Sequence, residues 1–74
     1  MGEFNRKQFG QRVRQLRLVR ALTQEQLAQL AGLHPTYLGG IERGERNLGL
    51  DNVLKLAKAL AVHPSELFAA GDSG

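Results

Sequence analysis

Apolar residues along this chain return at intervals of three and four, the spacing that puts them on one face of a helix. Phe9, Val13, Leu16 and the stem of Arg20 share a face over roughly residues 5–20, while Lys7, Gln11 and Leu18 point away. Thr23-Gln24-Glu25-Gln26 reads as a capping box that opens a second helix. That helix turns Leu27, Leu30 and Ala31 inward and stops at Gly32. Pro35 suits the first position of a third helix, with His34 a poor cap before it and Gly44 just past its end near Arg43. After a loop over 45–49, a fourth helix from about Leu50 to Leu60 buries Val53, Leu54, Ala57 and Leu60 and exposes Lys55 and Lys58. His63-Pro64 begins a short fifth helix carrying Leu67 and Phe68. No convincing strand is present, so the pattern predicts an all-α fold, five short helices joined by connections of a few residues.

The second and third helices carry the most specific spacing. Counted from Gln24, small Ala28 falls at position five and Gly32 at nine, with Leu27, Ala31, Leu33, Leu38 and Ile41 at four, eight, ten, fifteen and eighteen. This looks like the helix-turn-helix pattern, placed over about residues 24–43. A small residue is needed at Ala28 where the third helix crosses closely, and Gly32 permits the positive φ of a tight turn.

The third helix also contains Gly39-Gly40, and each glycine in a helix interior costs about 1 kcal/mol relative to alanine. With Leu38 and Ile41 turned inward, a step of about 100° per residue puts Thr36, Gly40 and Arg43 on the opposite face, flanked by Tyr37 and Gly39. Bare backbone there allows close approach to base edges and phosphate walls of a duplex groove; close packing against another helix would also favour small residues. On that face Thr36 can touch a thymine methyl, donate a hydrogen bond, or merely cap the helix. Tyr37 can stack and hydrogen-bond, or be a half-buried surface aromatic. Pro35 offers an apolar surface and starts the helix. Arg43 reaches guanine or phosphate, or is simply solvated. Gln24, at a helix N-terminus, stands where free N–H groups favour a phosphate.

Charge supports an anionic partner. The net charge is +3, and residues 6–20 hold six bases and no acid. At 74 residues the chain, 1–74, is a single domain with a core of barely sufficient size. It contains no cysteine, which excludes disulfides and fits a reducing cytoplasm. No apolar run approaches the roughly 18 residues needed to span a bilayer, no signal peptide is visible, and Met1-Gly2-Glu3-Phe4-Asn5-Arg6 lacks a myristoylation signal. The expectation is a cytoplasmic protein with no membrane partner. His34 and His63 lack metal-ligand spacing, no acid–base pair is evident, and GGIERGE lacks the Gly-Lys-Ser/Thr ending of a phosphate loop. Neither an enzyme, nor a metal or other cofactor, nor a small-molecule ligand is expected.

Phe9-Gly10, Arg14 to Arg17, Leu22 to Ala28, Ile41-Glu42-Arg43-Gly44 and the Leu60 to Phe68 ending together resemble the lambda repressor/Cro-like (xenobiotic-response-element) family over about residues 9–68. Within it, Tyr37 to Gly44 and Arg46-Asn47-Leu48 look most like the small controller proteins of restriction–modification systems. The resemblance implies a lambda-repressor-like domain and a sequence-specific transcriptional regulator binding double-stranded DNA. It also implies phosphate contacts from Arg46 and Asn47, and a structural ion pair between Arg17 and Glu42. Free-standing regulators of this kind are homodimers on palindromic operators; helices four and five, about residues 50–70, would form the dimer interface through Val62, Leu67 and Phe68. The alternative for these three is completion of the monomer core. A second functional class, an antitoxin or other protein-interaction module, shares the fold. Ala21, His34, Gly49 and His63 depart from the family's usual helix-end residues, and Pro35 from its usual base-reading polar residue.

Overall fold

Asn5 starts the first helix of the computed structural model, which describes residues 4–69. Its side chain accepts from the Gln8 N–H at 2.9 Å while the Gln8 side chain accepts from the Asn5 N–H at 3.1 Å, a reciprocal cap on α1 (Arg6–Val19). Thr23 and Gln26 form the expected second box, at 3.0 and 2.9 Å, on α2 (Gln24–Ala31). α3 spans Pro35–Glu42 and α4 spans Leu50–Leu60. The fifth element, Pro64–Phe68, is a 3-10 helix. The all-helical expectation holds, and the tail at 70–74 and residues 1–3 lie outside the described residues.

Both histidines cap better than expected. His34 Nδ1 accepts from the Thr36 N–H, and His63 Nδ1 from the Ser65 N–H, each at 3.1 Å. An imidazole nitrogen two residues upstream reaches the free donor much as an Asx oxygen does. Gly49, before α4, makes no side-chain cap.

The core joins all five elements: Phe9, Val13 and Leu16 from α1, Leu27, Ala28 and Ala31 from α2, Leu38 and Ile41 from α3, Val53, Leu56, Ala57 and Leu60 from α4, and Leu67. Two expected core residues are not in it. Leu30 is 61% exposed, because on α2 the buried arc runs from Leu27 through Ala31 to Ala28 and leaves Leu30 outside. Leu54 is 45% exposed, and Leu56, fully buried, takes its place in the 53, 56, 57, 60 stripe of α4.

Two features set the angle of α3. Gly32 ends α2 at φ +70°, a left-handed conformation that glycine adopts without steric cost, and turns the chain into α3. Gly10 on α1 lies where α1 and α3 cross. A Cβ at Gly10 would stand 2.6 Å from the Glu42 carbonyl oxygen and closer still to that of Ile41. α1 and α4 terminate differently, each with an alanine in the left-handed region. Ala21 has φ 56° and Ala61 has φ 58°. In each case the next residue closes the end, with Leu22 N–H donating to Arg17 O at 3.1 Å and Val62 N–H to Ala57 O at 3.0 Å. Leu22 and Val62 then pack against the core.

Candidate nucleic-acid interface

The N-terminal ends of α2 and α3 meet at an open cleft lined by Thr23, Gln24, Glu25, Pro35, Thr36, Gly39 and Arg43. Five of these seven residues precede or occupy a first helical turn, where free backbone N–H groups and the helix dipole favour an anion. Pro35 occupies N1 of α3, where its missing N–H costs nothing, and it starts the helix as expected. Thr36 is exposed at the cleft, and Arg43 is exposed with its Nε 3.1 Å from a Glu45 carboxylate oxygen.

What holds this face in place is buried. Arg17 Nε and Nη2 donate to the two Glu42 carboxylate oxygens at 2.7 and 3.0 Å, the bidentate pair that the resemblance implied. Arg17 and Glu42 are 7% and 6% exposed, so the pair sits in the interior between α1 and α3. Arg17 Nη1 also donates to the Leu22 carbonyl at 2.8 Å. Gln24 is placed by the same network, its Nε2 donating to Glu42 Oε1 at 3.0 Å. Its amide is therefore engaged within the subunit, a partner that local sequence spacing gives no sign of. Among the described residues no buried side-chain polar atom lacks a hydrogen-bond partner.

Gly39 and Gly40 are both buried, but the covering groups are side chains of this same face. A Cβ at Gly39 would lie 3.2 Å from Arg43 Nη1 and 3.6 Å from Gln24 Oε1; one at Gly40 would lie 2.8 Å from Arg46 Cγ and 2.9 Å from its Nε. The expectation of bare, open backbone is corrected accordingly: arginine side chains lie across it. At Gly40 the nearest groups all belong to Arg46, whereas Gly39 is covered by Arg43 and by Gln24 from the start of α2.

Tyr37 is half-buried, and its hydroxyl is shared. It donates to the Asn47 carbonyl at 3.2 Å and accepts from Asn52 Nδ2 at 2.9 Å. The Arg46 guanidinium stands over the ring, 5.9 Å from its centroid. Asn47 Oδ1 accepts from Arg6 Nη1 at 2.7 Å, so the loop after α3 is tied to the start of α1. Arg6 and Asn52 are supporting residues that the sequence reading missed; the contact between Arg6 and Asn47 joins positions 41 apart, which no helical period reports.

The three expected dimer residues separate. Leu67 is fully buried in the subunit's own core, a correction: the 3-10 turn aims it inward between α1 and α4. Val62 is half-buried against that core. Phe68 remains 49% exposed, with its ring 5.6 Å from that of Phe4 and 5.3 Å from that of Phe9. Phe4, Phe68, Leu48, Leu50, Val53 and Pro64 line an apolar groove beside it. Among the described residues no cluster of three His, Asp or Glu could hold a metal ion, and no helix is long and apolar enough to cross a membrane.

Comparison with known proteins gives a consistent result. The helix-turn-helix family pattern matches residues 13–67. The control protein C.BamHI of Bacillus amyloliquefaciens is 53% identical over 60 residues, 80% of this chain and 74% of that one. The crystal structure of the restriction–modification controller protein C.AhdI from Aeromonas hydrophila superposes with a TM-score of 0.83 at 56% identity, covering 84% of this chain and 94% of that one. The biofilm master regulator SinR, solved in complex with DNA, superposes with a TM-score of 0.78 at 31% identity over 82% of this chain and 98% of that one.

Proposed function

This chain belongs to the helix-turn-helix family, and on that premise we propose that it is a sequence-specific DNA-binding transcriptional regulator of the restriction–modification controller type, acting in the cytoplasm as a homodimer. One observation carries the reading. α3 is anchored through its inner face, by Leu38, Ile41 and the buried Arg17–Glu42 pair, while its other face presents Thr36 at the cleft between two helix starts, with Arg43 beside that cleft and Arg46 folded back over Gly40. A helix so mounted enters a major groove as a rigid probe: the core sets its angle and the outer side chains meet base edges and phosphates.

Residue roles follow from position. Thr36 and Arg43 face the base edges, with Pro35 as an apolar flank. Arg46 and Asn47 meet the phosphate wall beside the C-terminal end of α3. Gln24 presents its backbone N–H, at the start of α2, to the opposite wall, since its side-chain amide is committed to Glu42. Tyr37 braces the loop. One α3 reads only a few base pairs, so a pair of subunits with recognition helices one duplex turn apart supplies the affinity and specificity. The exposed Phe68, Leu50 and Phe4 beside α4 give the pair an apolar contact surface.

Selection of bound sequences from random duplex DNA tests the function. The expected product is a palindromic consensus whose affinity falls steeply with salt. The two Arg46 phosphate contacts of a dimer alone contribute about −1.8 to the slope of log affinity against log salt. Sedimentation at micromolar concentration should show twice the 8.1 kDa chain mass. No enrichment of any duplex would refute the regulator reading, and an 8.1 kDa species alone would refute the dimer.

A further inference from the structure

Arg46 follows α3 in sequence yet folds back across it. The chain reverses beyond α3, with Gly44 N–H donating to Ile41 O at 3.0 Å and Glu45 N–H to Gly40 O at 2.9 Å. That reversal directs the Arg46 side chain over the helix surface. Its stem crosses Gly40, where a Cβ would stand 2.8 Å from Cγ, 2.9 Å from Nε and 3.4 Å from Cδ. Its guanidinium then comes to rest over the Tyr37 ring, 5.9 Å from the centroid. The ring is itself fixed at its hydroxyl by Asn47 O and Asn52 Nδ2. Gly40 and Tyr37 lie one helical turn apart on α3, so together they form a shallow seat, floored by backbone and walled by an aromatic face.

We infer that Gly40 is a positioning residue for DNA binding: by lacking a side chain it lets Arg46 lie against Tyr37, which sets the arginine in advance on the face that meets the duplex. Arginine is long and rotamer-rich, and ordering it only on binding would weaken the complex. The seat removes part of that cost before the DNA arrives. It also accounts for a glycine in a helix interior, where alanine would favour the free protein. Its occupant is a side chain of the same subunit, where open backbone alone had suggested direct approach by the duplex. This inference rests on the proposed function for its DNA component and on geometry alone for the seat.

The test compares Gly40→Ala, Arg46→Ala and the double variant on the duplex recovered by selection, with the unaltered chain as reference. Gly40→Ala should fold with a melting temperature close to that of the unaltered chain, because the helix preference of alanine offsets the displaced Arg46 stem and its lost contact with Tyr37. It should nevertheless bind about five- to hundredfold more weakly, the range expected when two rotamer-rich side chains, one in each subunit, lose their order. Arg46→Ala removes both copies from the dimer, so it should weaken binding and reduce the salt slope by about 1.8. Adding Gly40→Ala to Arg46→Ala should cost nothing further. A DNA-free measurement reads the seat directly: the Arg46 side-chain protons in the unaltered chain should carry an upfield shift from the Tyr37 ring, and Gly40→Ala should abolish it. Additive losses in the double variant, normal binding by Gly40→Ala, or Arg46 proton shifts unmoved by the methyl would each overturn the inference. Absence of any duplex binding by the unaltered chain, with the proton shifts as expected, would instead overturn the proposed function and with it the DNA role of the seat.

Discussion

Replacing Glu42 by alanine should remove a large share of this protein's stability, although only one side chain is lost. The Glu42 carboxylate takes three hydrogen bonds, from Arg17 Nε at 2.7 Å, Arg17 Nη2 at 3.0 Å and Gln24 Nε2 at 3.0 Å. Only 2% of the Glu42 side chain and 9% of that of Arg17 meet solvent. The variant therefore strands a guanidinium in the interior, with Leu22 O as its remaining partner. Removing one partner of a buried pair costs about 3–5 kcal/mol. A 74-residue domain has only about 4–11 kcal/mol in total, at 0.05–0.15 kcal/mol per residue. In melting temperature the loss is about 12–40 °C, taking 4–8 °C per kcal/mol for a domain of this size. Urea unfolding followed by far-ultraviolet circular dichroism, at fixed protein concentration, measures it. The companion variant Arg17→Met/Glu42→Leu should recover most of the loss, because an apolar pair leaves no charge behind. A single-variant loss below about 1 kcal/mol, the range of exposed pairs, would refute the argument that burial makes this pair critical.

Three further outcomes follow from the packing. Gly10→Ala should lose about 3 kcal/mol or more, at the upper end for overpacking, because its methyl meets backbone carbonyls of α3 that cannot swing aside; thermal melting checks it. His34→Ala removes the Nδ1 acceptor at the start of α3 and should lose about 0.5–2 kcal/mol, whereas His34→Asn should restore the cap; chemical denaturation of both reads this. Leu67→Ala should lose about 2–5 kcal/mol whatever the concentration, as a core cavity does. Phe68→Ala should instead weaken self-association, seen as a shift of the sedimentation-derived dissociation constant.

The helix order and the helix-turn-helix were legible because each rests on local chemistry. Thr23 with Gln26, Pro35, Gly32 and the spacing of Leu27, Ala28, Leu38 and Ile41 are all satisfied within one helix or one turn. The errors at Leu54 and Leu30 arise where an apolar residue sits just beyond the edge of a buried arc. There, neighbouring helices decide which edge is covered, and the period alone does not. Arg17 with Glu42 was found through family likeness; 25 positions separate them, and no local pattern joins them. The exposure of Thr36 and Arg43 follows from the inward turn of Leu38 and Ile41, but the cover over Gly39 and Gly40 was not legible. Gln24 turns inward to Glu42, Tyr37 braces Asn47, and Arg46 covers Gly40, because each side chain is directed by a partner brought close only after folding.

Ala21 and Ala61 hold a backbone geometry that alanine adopts at a cost of roughly 1–2 kcal/mol. Neither residue halts a helix by its own preference, and alanine is the best helix former of all. What stops α1 and α4 is the docking of Leu22 and Val62, which pull the chain off the helical path. A synthetic peptide spanning residues 6–22, which lacks the Thr23–Gln26 box, would thus have no reason to turn at Ala21, and any helix it forms should run on through it. The corners of this protein are imposed by the assembled interior, so the lengths of its first and fourth helices belong to the whole molecule and not to their own segments.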